Sequence, residues 1–513
     1  MSLIRSTAIV GLATVASRLL GFARDMLIAA ALGAGPVADA FLIAFRLPNL
    51  ARRVLSEGGL NAGFVPLHTR IRAERGEAAA ARFAGEAVAG CAVVVLILIG
   101  LAEIAAGGMV LLLAAGYADD PAMLALSAHY TRLAFPYVAG VTLASLIAAL
   151  LNAERRFAAA ALAPLAMNLV LIGVLLVLQG EAWAPERMAV WLAAAVTVSG
   201  FVQLAIVLGA AIWSRAALTW ARPRFSPDMR RLLSLGIPAL AAAGAAQFIL
   251  LAATQVASFT PSAVSWLYYA DRVFQMPLGF VGVAVGLVLL PEIAARNQAG
   301  DTAGSAAVKN RSLEAALLLS VPASAALLTL AGPITRVLFE RGAFTAADSA
   351  GTAAALAGLS AGLPFAVAGK VFAQGLFARE RVRAAFLSGL LGILVAALAS
   401  AALGARLGSL GIGLGASLGF AVHSAALAAT LASGGIWRPD RRLLRRVCAM
   451  VAASAVMSAW LLVVDDVLPA APSPSAGALR LAFLCVSGLA VYAGAALLLG
   501  AVARSDLRLP ARG

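Results

Sequence analysis

Apolar windows of about 20 residues or more recur along nearly the whole chain. They fall near 7–33, 38–66, 85–107, 122–151, 158–179, 187–213, 235–258, 264–292, 312–335, 350–377, 383–404, 409–433, 446–464 and 479–502. A helix of that length crosses the hydrocarbon core of a bilayer. The pattern therefore predicts an all-α polytopic membrane protein with fourteen transmembrane helices and both termini on one side. Basic residues in the intervening loops orient it. With the N-terminus in the cytoplasm, the inner loops and tails carry 26 Lys and Arg, among them Arg70, Arg72, Arg75, Arg155, Arg222, Lys309, Arg379 and Arg442. The outer loops carry five: Arg187, Arg336, Arg341, Arg406 and Arg480. That asymmetry predicts an N-in, C-in orientation.

Composition agrees, since 62% of the 513 residues are hydrophobic and 12% charged, which excludes a soluble globular class. The net charge of +15 raises the question of nucleic acid. Because the charge sits in the inner loops it reads as a topology signal, and no nucleic-acid partner is expected. Cys91, Cys448 and Cys485 lie in or beside apolar runs without metal or redox spacing. The first apolar run contains Arg18 and continues through Leu32 with no convincing cleavage site, so it reads as the first helix, not a removable leader.

Four landmarks repeat at nearly one offset: Pro66 with Pro291, Gly116 with Gly342, Pro136 with Pro364, and Glu154 with Glu380. The interval holds six windows, an even number, so the two copies run the same way through the membrane. This predicts two six-helix lobes related by a parallel repeat, 1–214 and 215–434, with two extra helices in 435–513. Lobes of this kind surround a central cavity and rock to give alternating access. Prolines at 48, 136, 164, 238, 277, 291, 322 and 364 predict kinks within helices, although prolines are also simply commoner in membrane helices.

Charges break the apolar pattern mainly between Ser17 and Pro66, where Arg18, Arg24, Asp25, Asp39, Arg46, Arg52, Arg53 and Glu57 occur. A charge at bilayer depth costs roughly 2.5–3.5 kcal/mol on insertion scales, so such residues face a polar cavity or a partner. Arg24 and Asp39 are placed to snorkel toward helix ends, whereas Arg18 is flanked by about ten mostly apolar residues on each side. Arg46 and Arg53 are seven apart and share a helix face unless Pro48 disturbs it, and Arg53 and Glu57 have the i, i+4 spacing of an ion pair. In the second copy Arg272, next to Asp271, takes the position of Arg46. Arginine forks with few acids among them suit a phosphate or diphosphate. For any single arginine the alternative is a structural pair with Asp25, Asp39, Glu57 or Asp271. No nucleophile elbow, Walker loop, metal motif or paired acid set supports catalysis, so a transporter is expected, not an enzyme. The glycines of GSLGIGLGASLG read as close helix packing.

The stretches ASRLLGFARD, DAFLIAFRLPNLARRVLSEGGLNAGFVP, YYADRVFQMPLGFVGVAVGLVLLPEIA and LFERGAFT resemble the MurJ (MviN) family. These are lipid II flippases of the multidrug/oligosaccharidyl-lipid/polysaccharide exporter superfamily. The resemblance implies movement of undecaprenyl-diphosphate-linked peptidoglycan precursor from the inner to the outer leaflet, for cell wall synthesis. It implies substrate-binding arginines at Arg18, Arg24, Arg52 and Arg272, with Arg46 and Asp39 nearby; Arg53, Ser17 and Glu57 of the same charged stretch are further candidates. It also implies a tail groove at helices 13 and 14. The expected partners are lipid II, membrane lipids and the cell wall synthesis machinery, around a monomer. No cofactor is expected beyond an anion such as chloride among the arginines, with the membrane potential as drive. Windows 235–258, 383–404 and 409–433 contain no Asp or Glu, so a sodium site of hard carboxylate ligands on those helices is not expected. The rival readings are a flippase for another polyprenyl-diphosphate-linked oligosaccharide and a drug exporter of the same superfamily. The second would want acids where this chain has arginines.

Overall fold

The computed structural model describes residues 3–52, 61–178, 183–216, 218–242, 245–279, 302–377, 379, 381–469 and 471–502. Among the described residues there are helices and turns but no strand. The predicted all-α fold is observed, and most of the described residues of the apolar windows lie in helices. In chain order they are α1 (Leu3–Leu32), α2 (Pro36–Arg52), α3 (Asn61–Arg75), α4 (Glu77–Ile104), α5 (Ala106–Leu113), α6 (Pro121–Ala134), α7 (Tyr137–Ala153), α8 (Phe157–Leu178), α9 (Pro185–Trp213), α10 (Pro227–Ala242) and α11 (Ala245–Ala257). A helix over 263–279 follows as α12. Then come α13 (Thr302–Thr329), α14 (Ala331–Phe339), α15 (Ala346–Ser360), α16 (Leu363–Phe377), α17 (Val382–Ser433), α18 (Arg441–Val467) and α19 (Pro474–Leu498).

Eight helical stretches among the described residues are long and apolar enough to cross a membrane, or nine with the pair α15 and α16, which bends by 44°. Two of the predicted spans merge in α17, whose 52 residues are broken at Gly408, where φ is +57°. Such a φ is open to glycine and strained for other residues. The chain folds back there, and the two arms touch backbone to backbone. A Cβ on Gly415 would lie 2.2 Å from the Ser400 nitrogen, and one on Gly419 would lie 2.7 Å from the Gly392 oxygen. The glycine-rich run is helix packing, as expected.

The elements from α4 to α7 and from α13 to α16 follow in the same order. α4 and α13 each have 28 residues. Each is followed by a short helix, a turn, and a span interrupted at a proline landmark. α6 gives way to α7 at Phe135–Pro136, and α15 to α16 just before Pro364. Pro48, Pro164 and Pro322 instead lie inside continuous helices. At those positions the expected kink is not a break. Pro291 and Glu380 lie outside the described residues.

The chain forms two compact units: Met1–Gly244 with Arg341–Phe344, and Ala245–Glu340 with Thr345–Gly513. In the first unit one cluster joins Phe64, Leu67 and Ile71 of α3 to Phe83 and Ala84 of α4, Leu146 and Leu150 of α7, and Leu232 of α10. A second cluster joins α7, α8 and α9. α7 lies close against α9, where a Cβ on Gly140 would lie 2.3 Å from the Gly200 carbonyl carbon. The segment after α9 stays in this unit, with the Thr219 N–H donating to the Ala81 carbonyl. The 67–84 stretch, expected as a loop, is mostly helical: α3 runs to Arg75, Gly76 (φ +84°) turns the chain, and α4 begins at Glu77. The turn Arg341–Phe344 closes the end of α1, where the Ala343 N–H donates to the Ala30 carbonyl at 2.8 Å.

In the second unit α17 packs against α11, α15 and α16, while α13 packs against α16 and α18. α19 lies on α18 through Gly488, whose missing Cβ leaves room for Leu461. The Tyr492 hydroxyl reaches the Leu318 carbonyl on α13 at 2.9 Å. Large apolar side chains stay exposed along the outer faces, among them Leu96, Ile97 and Leu101 of α4, Val463 of α18, and Val486 and Leu489 of α19. Faces of this extent in water would drive aggregation, and they fit a lipid surround.

Candidate functional site

α1 carries charge through an apolar stretch, and the structure settles where that charge goes. Arg24 is 3% exposed and Asp25 1%, so neither snorkels. The guanidinium holds Asp25 Oδ1 through Nε at 3.0 Å and Nη2 at 2.7 Å. Its Nη1 donates to Asn168 Oδ1 of α8 at 2.8 Å, and its face lies 5.1 Å from the centre of the Phe45 ring. Asn168 in turn donates through Nδ2 to the Ser17 carbonyl at 3.0 Å. Gly21 makes this possible, since a Cβ there would already lie 3.6 Å from Asn168 Oδ1. Three of the five guanidinium N–H groups are thereby held in place. Burying the charged pair is tolerated because each member is hydrogen-bonded and ion-paired.

The other candidates divide. Ser17 is half-buried and joins Arg24 through Asn168, while Arg18, next in sequence, is exposed. On α2, Asp39 is 3% exposed and therefore buried, not snorkelled, and Arg46 and Arg52 are half-buried. Asp39 and Arg46 both act electrostatically on the buried Tyr117 in the turn after α5. Arg53 and Glu57 lie outside the described residues. In the second unit Arg272 lies back along α12, with Nη2 donating to the Tyr268 hydroxyl at 2.9 Å and its guanidinium carbon 4.5 Å from that ring's centre. Its neighbour Asp271 accepts from Gln275 at 2.5 Å. Arg272 is thus in contact with a tyrosine of its own helix. Asn168 is the residue the sequence reading missed; its signal was one amide in the apolar run APLAMNLVLIG.

Outside the membrane-spanning segments the charged residues pair at the surface. Arg70 meets Glu74, Arg72 meets Glu77, and Arg75 meets Asp228 at 2.9 Å, and in each pair at least the arginine is exposed, so each contributes little to stability. Burial pushes the His68 pKa down, with Glu154 opposing and Arg72 adding to the shift. Burial works against the Asp440 charge, but the Leu443 N–H together with Arg311 and Asn310 outweighs it and holds that carboxyl below its usual range. No cluster of three or more His, Cys, Asp or Glu residues suited to a metal ion occurs among the described residues.

The family model described as lipid II flippase MurJ matches residues 28–475. A probable lipid II flippase MurJ of Rhizobium meliloti (strain 1021) is 40% identical over 99% of this chain and 96% of its own length. The lipid II flippase MurJ of Burkholderia cenocepacia is 32% identical over 77% of each chain. Among solved structures, a lipid II flippase MurJ in an inward closed conformation matches with a TM-score of 0.77 at 20% identity, covering 95% of this chain and 98% of that one. An inward-facing multidrug resistance transporter of the MATE family matches with a TM-score of 0.68 at 13% identity, over 82% and 95%. At those identities the last two similarities concern the fold.

Proposed function

Because the chain belongs to the lipid II flippase MurJ family, we propose that it flips lipid II across the membrane by alternating access, and that Arg24 engages the diphosphate. The observation that carries the site is the Arg24 fork, fully buried yet held in a fixed direction by Asp25 and Asn168. Such an arrangement suits two-point binding of phosphate oxygens. Arg272, set on Tyr268, is a second candidate cation, in the second unit. The surface of α18 and α19, with Val463, Val486 and Leu489 exposed, suits a polyprenyl tail. Arginines, not acids, at these positions argue against an organic-cation substrate.

The drive we assign is the membrane potential. The spans of α11 and both arms of α17 contain no carboxylate, and moving one charge through 100 mV is worth about 2.3 kcal/mol. Outward movement of a diphosphate is favoured by an inside-negative potential. Depletion of the protein in its host should trap lipid II in the inner leaflet. Re-expression should restore export with choline replacing sodium and fail when the potential is collapsed. Normal export without potential, or sodium dependence at fixed potential, would remove this drive.

The basic loops set the orientation we assign, N-in and C-in, in the cytoplasmic membrane. The 218–226 segment exposes Trp220 and Phe225 beside Arg222 and Arg224, a composition suited to the inner headgroup layer. A single cysteine at Arg224 should resist an impermeant thiol reagent in whole cells and react in inverted vesicles. Labelling in whole cells would reverse the orientation and the direction of transport.

A further inference from the structure

Lys309 is 2% exposed, and its Nζ is closed to solvent with no hydrogen-bond partner. Its stem lies flush against α16, since a Cβ on Gly375 would be 3.4 Å from Lys309 Cε. The charge within electrostatic reach is Arg379, another cation, just beyond the end of α16. Arg379 is half-buried, and its Nε is likewise closed to solvent without a partner. The nearby described acids are engaged elsewhere. Glu314 is ringed by Arg311, Arg442 and Arg446, and Asp440 is paired with Arg311. The wall beside Lys309 is rigid. Asn310 accepts from Trp437 Nε1 at 2.7 Å and donates to the Arg438 carbonyl at 3.1 Å, while Trp437 packs edge-on against Phe372.

An uncompensated buried ammonium is strongly unfavourable, and a like charge beside it makes it worse. We propose that Lys309 and Arg379 form a binding site for a phosphate oxyanion, distinct from the arginines of α1 and α12. The oxyanion is the phosphodiester of an anionic phospholipid or a soluble phosphate. Arg379, half-exposed, is the mouth of the site and supplies the fork; Lys309 is its floor and supplies a point charge. The position at the basic ends of α13, α16 and α18 places the site at a headgroup layer in the orientation assigned above. Ligand binding there would tie α13 to α16 within the second unit.

The test uses the full-length protein and reads the midpoint of thermal unfolding. Nanodiscs of phosphatidylcholine should give a lower midpoint than nanodiscs that also contain phosphatidylglycerol. Lys309→Met and Arg379→Gln should each need at least about tenfold more phosphatidylglycerol for half the gain, the loss expected for one charge-assisted contact. Lys309→Met without anionic lipid should be no less stable than the parent, because it removes an unpaired buried charge. In detergent, a gain from inorganic phosphate that both substitutions abolish would assign the site to a soluble anion, and its absence would assign it to the lipid. The proposal is overturned if neither phosphatidylglycerol nor phosphate moves the parent midpoint. It is equally overturned if both variants respond as the parent does.

Discussion

Arg24→Ala should abolish complementation of a depleted host, and the comparison that gives this meaning is with Arg24→Ala/Asp25→Asn. The single change deprives Asp25, buried to 1% exposure, of the guanidinium that holds it at 2.7 Å. Breaking a buried pair from one side costs about 3–5 kcal/mol, so the amount of protein in the membrane should fall. Neutralising Asp25 removes that penalty and should restore abundance. If Arg24 grips the diphosphate, complementation stays absent in the double variant. Arg24→Lys should retain part of the function, since an ammonium cannot satisfy Asp25 and Asn168 in the same planar geometry. Recovery of both abundance and complementation in the double variant would reduce Arg24 to a structural role.

Gly140→Leu should prevent accumulation of the folded protein altogether. On α7 a Cβ at Gly140 would lie 2.3 Å from the Gly200 carbonyl carbon and 2.5 Å from its oxygen; one at Gly200 would lie 2.7 Å from the Tyr137 oxygen. These neighbours are backbone and cannot rotate aside, so α7 and α9 must separate along their length. Overpacking costs about 1–3 kcal/mol where side chains can adjust, and here the cost falls at the upper end or beyond. Gly173→Leu on α8, where no atom lies within 4 Å, is the matched control and should accumulate normally. Wild-type amounts of Gly140→Leu in the membrane, with an unchanged unfolding midpoint, would contradict the close approach.

The spans were legible because a bilayer imposes a length that sequence shows directly, and α8 and α9 begin and end within about two residues of their windows. The breaks at Pro136 and just before Pro364 were legible from the prolines, which mark interruptions that hydropathy does not show. The 67–84 stretch was not, because its apolar residues, Leu67, Ile71, Ala80, Phe83 and Ala84, are too few among its charges to form an apolar window, although they are buried in a cluster with α7 and α10. The environment of Arg24 was half legible. Its charge was evident, but its burial depends on Asn168, 144 residues away, and on the absence of a side chain at Gly21. Pro48, Pro164 and Pro322 show the limit of single-residue signals. Each lies within a continuous helix, since proline in a membrane helix is accommodated when neighbours satisfy the freed carbonyl.

The turn at Arg341–Phe344 bears on how the protein is made. The last carbonyls of a helix need partners from outside it, and at the end of α1 one of them, Ala30, receives its partner from Ala343. A ribosome adding roughly 5–20 residues per second delivers that partner on the order of 15–60 s after α1 itself emerges. Through that interval the first helix of the chain waits in the membrane with its end unfinished, although most of its own unit has already been synthesised. A nascent chain arrested before this turn, or a fragment ending at Gly244, lacks the residues that complete its first helix, and is the species on which membrane quality control would act.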